Sequence, residues 1–266
     1  MIELRRKTIV LDGVRISYLE TESSAPALIL LHGFASGSYI WKKFPEKILG
    51  NFRVLIPDLP GHGSSGLPEQ EPTLEYHARL IEQFRLAAGI NQFMGVGHSM
   101  GSAILASYSF TFPGKLNGLV LESPPDGSGS LPLLWRLVAV NGIGDFLMNF
   151  YPPTRGLLKR RLNSGVNHPG LFTEEMVNDA WNAFSKGNLK KWIPRALRVS
   201  GLKVAWEKIP MQCKIVYGNQ DRLMNPAFLN RLREILPFSE FHAFDNCRHV
   251  PHLEYPERFA GLLVGM

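Results

Sequence analysis

A serine set among glycines, Gly97-His98-Ser99-Met100-Gly101, directly follows an apolar run from Phe93 to Val96. That pattern reads as a strand turning sharply into a helix and pushing a serine hydroxyl out of the turn, where small flanking residues let the backbones pass. Ala103, Ile104, Leu105, Ala106 and Tyr108 then continue as good helix formers. Ser99 is the candidate nucleophile, supported by Gly97, His98 and Gly101. Five-residue patterns also arise by chance in a chain with 25 glycines, so the companions decide. An acyl-transfer serine needs a base, a carboxylate to orient that base, and backbone N–H donors for the oxyanion.

Each companion has a candidate. Leu28-Ile29-Leu30-Leu31 reads as a buried strand running into His32-Gly33-Phe34. Gly33 gives the close approach that such a loop needs, and the amides of Phe34 and Met100 are the expected oxyanion donors. His32, at a strand end, reads as a hydrogen-bonded loop brace rather than a base. Downstream, a strand near Cys213 to Tyr217 leads to Asp221, the candidate acid. Asn225, before Pro226, takes the helix-capping role and leaves Asp221 for chemistry. Two histidines compete for the base. His249 sits in a strand-end loop, where catalytic side chains concentrate, and is preferred; His252 lies at or inside the next helix and reads as a brace.

Strands are expected near 8 to 20, where the chain before residue 20 reads as paired strands, and near 28 to 32, 52 to 57, 93 to 97, 117 to 122, 213 to 217 and 238 to 244. Helices are expected near 39 to 49, 73 to 89, 99 to 112, 226 to 236 and 256 to 265. This alternation predicts an α/β fold with a mostly parallel twisted sheet flanked by helices. Roughly ninety residues separate the strand ending near Glu122 from the one starting near Cys213, too many for a plain loop. The expected organisation is a core of residues 1–122 and 209–266 with an inserted helical cap over 123–208. The cap opens with a turn-rich stretch from Ser123 to Ser130. Its apolar residues, Leu133, Leu134, Trp135, Leu137, Val138, Val140, Ile143, Phe146, Leu147 and Phe150, have helical spacing. Most are expected to form the cap's own core, with a minority lining a pocket.

Length and composition agree with one catalytic domain bearing an insertion: 266 residues, 45% of them hydrophobic. The N-terminus shows no signal-peptide pattern, and no apolar run approaches the ~18 residues that span a bilayer. The expected location is therefore the cytoplasm. Cys213 and Cys247 suit free thiols and supply neither a disulfide framework nor metal-ligand spacing; no metal or organic cofactor is expected. From Arg155 to Lys208 there are eleven Lys and Arg against four acids, in a chain of net charge +6. Such a surface can draw in an anionic substrate, rest on an anionic membrane, or be simply solvated. No nucleic-acid-binding module accompanies it. The expected partner is a small acyl substrate.

Taken in chain order, these segments are similar to the α/β-hydrolase fold superfamily in its lipase and esterase-like branch. Asp58-Leu59-Pro60-Gly61-His62-Gly63-Ser64-Ser65 also matches that family's loop after the fourth strand, a structural feature in relatives. The resemblance implies Ser99 as nucleophile, Asp221 as orienting acid, His249 as base, and Phe34 with Met100 as oxyanion donors. Two positions depart from the common pattern: Arg248 stands where many relatives have Gly, and Ser102 where many have a second Gly. Some relatives carry their acid after the sixth strand, where Asp126 is the candidate. A serine nucleophile disfavours relatives that use Asp, the epoxide hydrolases and haloalkane dehalogenases. It implies an acyl-enzyme formed from an ester, thioester or amide. The resemblance also offers carbon–carbon hydrolysis of ring-cleavage products, and non-catalytic ligand-binding relatives that have lost a triad residue.

Overall fold

The computed structural model describes residues 3–48, 50–127, 133–151, 154–198 and 204–264. Eight strands form one sheet: β1 (Leu4–Leu11), β2 (Val14–Thr21), β3 (Ala27–Leu31), β4 (Arg53–Pro57), β5 (Phe93–His98), β6 (Leu116–Glu122), β7 (Lys214–Gly218) and β8 (Glu240–Phe244). Their order is β1-β2-β4-β3-β5-β6-β7-β8. β2 is antiparallel to both its neighbours, and all pairs from β4 onward are parallel. The helices are α1 (Leu74–Ala87), α2 (Met100–Thr111), α3 (Leu133–Val138), α4 (Ile143–Met148), α5 (Arg155–Ser164), α6 (Glu174–Ser185), α7 (Leu189–Arg198), α8 (Pro226–Ile235), α9 (Pro251–Glu254) and α10 (Pro256–Gly261).

Two expectations need correction. The stretch near 8 to 20 is a hairpin that begins at Leu4 and turns at Asp12-Gly13, where φ is 49° and 75°. A two-residue Asp-Gly turn of this hand matches the twist of the strands it joins. The helix expected near 39 to 49 is instead two short 3-10 segments, Ser38–Trp41 and Phe44–Lys47. Pro45 lies in the first turn of the second segment, where its missing N–H cannot donate back toward Trp41 and join the two into one α-helix.

Three leucines and one isoleucine, Leu28 to Leu31, have no exposed surface, as expected for a strand covered on both faces. Burying each such side chain contributes about 1.5–3 kcal/mol, and this centre fixes the strands that carry the site. Because β3 and β5 to β8 are parallel, their C-terminal ends share one edge of the sheet. Phe34, Ser99, Asp221 and His249 all lie just past those ends, where open α/β sheets place ligands. The five helices α3 to α7 connect β6 to β7 and are tied down on the same side. Arg195 donates to the carbonyls of Pro68, Glu69 and Gln70 at 2.5, 2.7 and 2.8 Å. Lys42 reaches Glu175 and Asp179 at 2.7 and 2.5 Å, and Trp192 lies 4.2 Å from the His62 ring.

Candidate active site

Ser99 leaves β5 with φ 52° and ψ −115°, a conformation rarely adopted by a residue with a side chain. The turn holds because its neighbours are small. A Cβ on Gly97 would lie 2.4 Å from the Gly101 carbonyl, and one on Gly101 would lie 2.7 Å from the Leu31 oxygen. β5, α2 and β3 therefore meet backbone to backbone under the serine. Ser99 N–H donates to the Glu122 carbonyl at 2.8 Å. Ser102 donates its hydroxyl to the same carbonyl at 2.9 Å, so a side chain at this position closes the turn rather than opening it.

Gly33 comes so close that a Cβ there would be 3.1 Å from the Ser99 Cβ. This draws the Phe34 segment against the serine from one side. Met100 is the first residue of α2, so its N–H has no acceptor within the helix and stands at the positive end of the helix dipole.

On the other side, His249 Nδ1 is 2.7 Å from Asp221 Oδ2, and Asp221 is buried. The second Asp221 oxygen accepts the Leu223 N–H at 2.9 Å, which fixes the carboxylate. Asn225 caps α8 by accepting the Ala227 N–H at 3.0 Å. Asp126 accepts from Asn225 at 3.3 Å. His98 binds the serine turn to the histidine loop, since its Nε2–H donates to the His249 carbonyl at 3.0 Å and the two rings are 4.8 Å apart.

The competing histidine has another partner. His252 Nδ1 faces Glu122 at 2.7 and 2.9 Å, and its backbone N–H donates to the same carboxylate at 2.8 Å. Its Nε2–H donates to the Ile40 carbonyl at 3.2 Å, and the ring stacks on Trp41 at 3.6 Å. Glu122 is the residue that sequence reading passed over. A carboxylate closing an apolar strand, with no exposed surface, was the available signal that a buried partner must exist.

His32 is a brace, donating from Nδ1 to Gly33 and accepting the Leu59 N–H at Nε2, both at 2.9 Å. Burial pushes the pKa of His32, His62, His77 and His98 down, that of His77 to about 4. These rings are neutral in the fold and take up protons on unfolding below pH ~6.5, so the unfolded chain binds more protons there and stability falls as the pH is lowered. Urea midpoints should drop from pH 6.5 toward 5, with the loss continuing toward pH 4 as His77 titrates. His77→Gln should flatten the slope, and unchanged midpoints across that range would contradict the assignment.

Arg248 ties the His249 loop to the helical segment. Its Nη1 donates to the carbonyls of Ser164 and Val166 at 3.2 and 3.4 Å. The His249 N–H donates to Gly165 at 3.0 Å. Arg248→Gly, the residue common in relatives, should therefore loosen His249, lowering kcat by up to ~10-fold. Steady-state kinetics beside a thermal melt would check this. An unchanged kcat would leave Arg248 a surface residue.

The fold and this strand-end constellation define a class, and the match to known proteins agrees. The chain belongs to the alpha/beta hydrolase family, whose model matches residues 28–262. It is 27% identical to a 2-hydroxy-6-oxononadienedioate/2-hydroxy-6-oxononatrienedioate hydrolase of Paraburkholderia phymatum, over 96% of this chain and 92% of the relative. It is 29% identical to a pimeloyl-[acyl-carrier protein] methyl ester esterase of Aromatoleum aromaticum, over 90% and 96%. Among solved structures, the 2-hydroxy-6-oxo-6-phenylhexa-2,4-dienoate hydrolase of a Rhodococcus species superposes with a TM-score of 0.79 at 23% identity, covering 99% and 98%. Among the described residues no helix is long and apolar enough to cross a membrane.

Proposed function

We propose that the protein is a serine hydrolase that cleaves a carboxylic ester with a hydrophobic acyl part through an acyl-enzyme. The Asp221 to His249 contact, in the loop that His98 ties to the Ser99 turn, carries the reading. In this reaction Ser99 Oγ attacks the ester carbonyl while His249 Nε2 takes its proton. Asp221 holds the Nδ1–H and steadies the imidazolium. The amides of Phe34 and Met100 receive the oxyanion. His249 then returns the proton to the departing alkoxide. A water molecule clears the acyl-enzyme by the same route, and its proton passes through His249 back to Ser99.

An aromatic wall supports the hydrophobic acyl part. Phe34 lies 5.3 Å from Trp192 and 6.5 Å from Trp135, so the side chain beside the oxyanion amide is covered by helices α3 and α7 acting as a cap. A second reading, hydrolysis of a carbon–carbon bond in a ring-cleavage product, is favoured by the name of the Paraburkholderia relative. Rates on p-nitrophenyl esters of graded chain length, measured beside a ring-cleavage dienoate, separate the two. Turnover rising with acyl length and absent on the dienoate supports the ester reading, and the reverse overturns it.

A further inference from the structure

The helical segment does not keep its apolar residues inside. Leu133, Leu137, Val140, Ile143, Phe146 and Phe150 are 42–72% exposed, six of the twelve large exposed apolar residues among those described, within one helix hairpin. The expectation that most of them form an internal core is thus corrected. The reason is the hairpin's other face. Val138, Gly144 and Met148 are buried there, and Gly144 lies so close to Pro194 of α7 that a Cβ would approach it at 3.2 Å. Leu133 and Leu137 are one turn apart on α3, and Ile143 and Phe146 share a face of α4. The Phe146 and Phe150 rings meet at 5.3 Å. A monomer seldom leaves such a face bare without a use for it.

The charges around this face are mostly cationic. Arg136 is exposed on α3 itself. Lys190 donates to the Asn149 carbonyl at 3.2 Å, and the Arg161 guanidinium stands 5.2 Å over Trp135 and 5.5 Å over Tyr151. Asp145, the acid of the hairpin, is 3.9 Å from Arg198. Four cations therefore border the apolar face against one carboxylate.

We infer that the α3–α4 hairpin is a docking face for an anionic phospholipid bilayer, with Phe146, Phe150 and Leu133 entering the headgroup region and Arg136, Lys190 and Arg161 facing lipid phosphates. Short amphipathic elements bordered by Lys and Arg bind such interfaces by combining apolar burial with attraction to anionic lipid. A second copy of the chain is the poorer occupant, because a symmetric contact would set these cations against their own counterparts. Docking would also present the enzyme's cap to acyl chains, since Trp135, on the same helix, touches Phe34 beside Ser99.

Co-sedimentation with vesicles of phosphatidylcholine containing one quarter phosphatidylglycerol, compared with phosphatidylcholine alone, tests this. The protein should partition onto the anionic vesicles and be released by high salt. Phe146→Ser with Phe150→Ser should weaken partition by about tenfold or more. Arg136→Gln with Lys190→Gln should weaken it on anionic vesicles alone, by about fivefold per charge. Far-UV circular dichroism and turnover of a soluble ester verify that each variant is folded, and Leu133→Ser with Leu137→Ser carries the test if the phenylalanine pair does not fold. Equal partition of wild type and variants, or binding indifferent to salt and lipid charge, would overturn the inference. So would light scattering that shows a dimer broken by the phenylalanine variant.

Discussion

Ser99→Ala is expected to lower kcat by about 10⁴- to 10⁶-fold while leaving the melting temperature close to that of the wild type. The loss is large because the serine, the histidine and the acid act as a unit, and what remains comes from binding and oxyanion stabilisation alone. The fold should survive because the turn is held by the Ser99 N–H on Glu122, the Ser102 hydroxyl, and the close approach of Gly97 and Gly101. None of these needs the Ser99 hydroxyl. His249→Ala should cost nearly as much, and Asp221→Asn somewhat less, about 10⁴-fold. Steady-state rates on the best ester, with protein from which wild-type contamination has been excluded, give the measurement. Retention of a tenth of the activity by Ser99→Ala would remove the serine from the mechanism.

His252→Ala should show the opposite profile, a large loss of stability with a small loss of rate per folded molecule. The ring and Glu122 are both without exposed surface, and removing the ring leaves a buried carboxylate with only the backbone N–H of residue 252 as its partner. Breaking a buried pair in this way costs about 3–5 kcal/mol, a large share of the 5–15 kcal/mol that holds a typical domain. The stacked Trp41 would lose its neighbour as well. Urea unfolding followed by tryptophan fluorescence should show the midpoint fall, while kcat corrected for the folded fraction stays within ~10-fold of wild type. Glu122→Gln, which keeps shape and one acceptor, should cost less than His252→Ala. If His252→Ala remained fully stable but lost activity as His249→Ala does, the roles of the two histidines would be exchanged.

The local signals along the sequence were strong where backbone geometry demands particular residues. Glycines around Ser99, an apolar run before each loop, and Asn225 before Pro226 each carry a mechanism that can be read without neighbours. The pairing of strands before residue 20 is equally readable, and the Asp12-Gly13 turn is where the chain reverses between them. Pairings across the fold were harder to see. Nothing local to Glu122 or His252 tells that they meet, because they stand 130 positions apart and come together only when the end of β6 reaches the start of α9. The apolar spacing of Leu133 to Phe150 predicted helices correctly, but periodicity says which residues share a face, not whether that face is covered. Charge behaved in the same way. Arg195 counted toward a basic surface, whereas in the fold it is spent on three carbonyls of the Pro68 to Gln70 loop.

The central claim is that Ser99 is a nucleophile activated by His249, and an irreversible fluorophosphonate reports on it without knowledge of the substrate. Intact-mass spectrometry of the wild type after exposure should show a single adduct, with peptide mapping placing it on Ser99. Ser99→Ala should show none. His249→Ala should label more slowly by orders of magnitude, while folded His252→Ala should label at nearly the wild-type rate. An adduct on another residue, or labelling of Ser99 that is as fast without His249 as with it, would contradict the account.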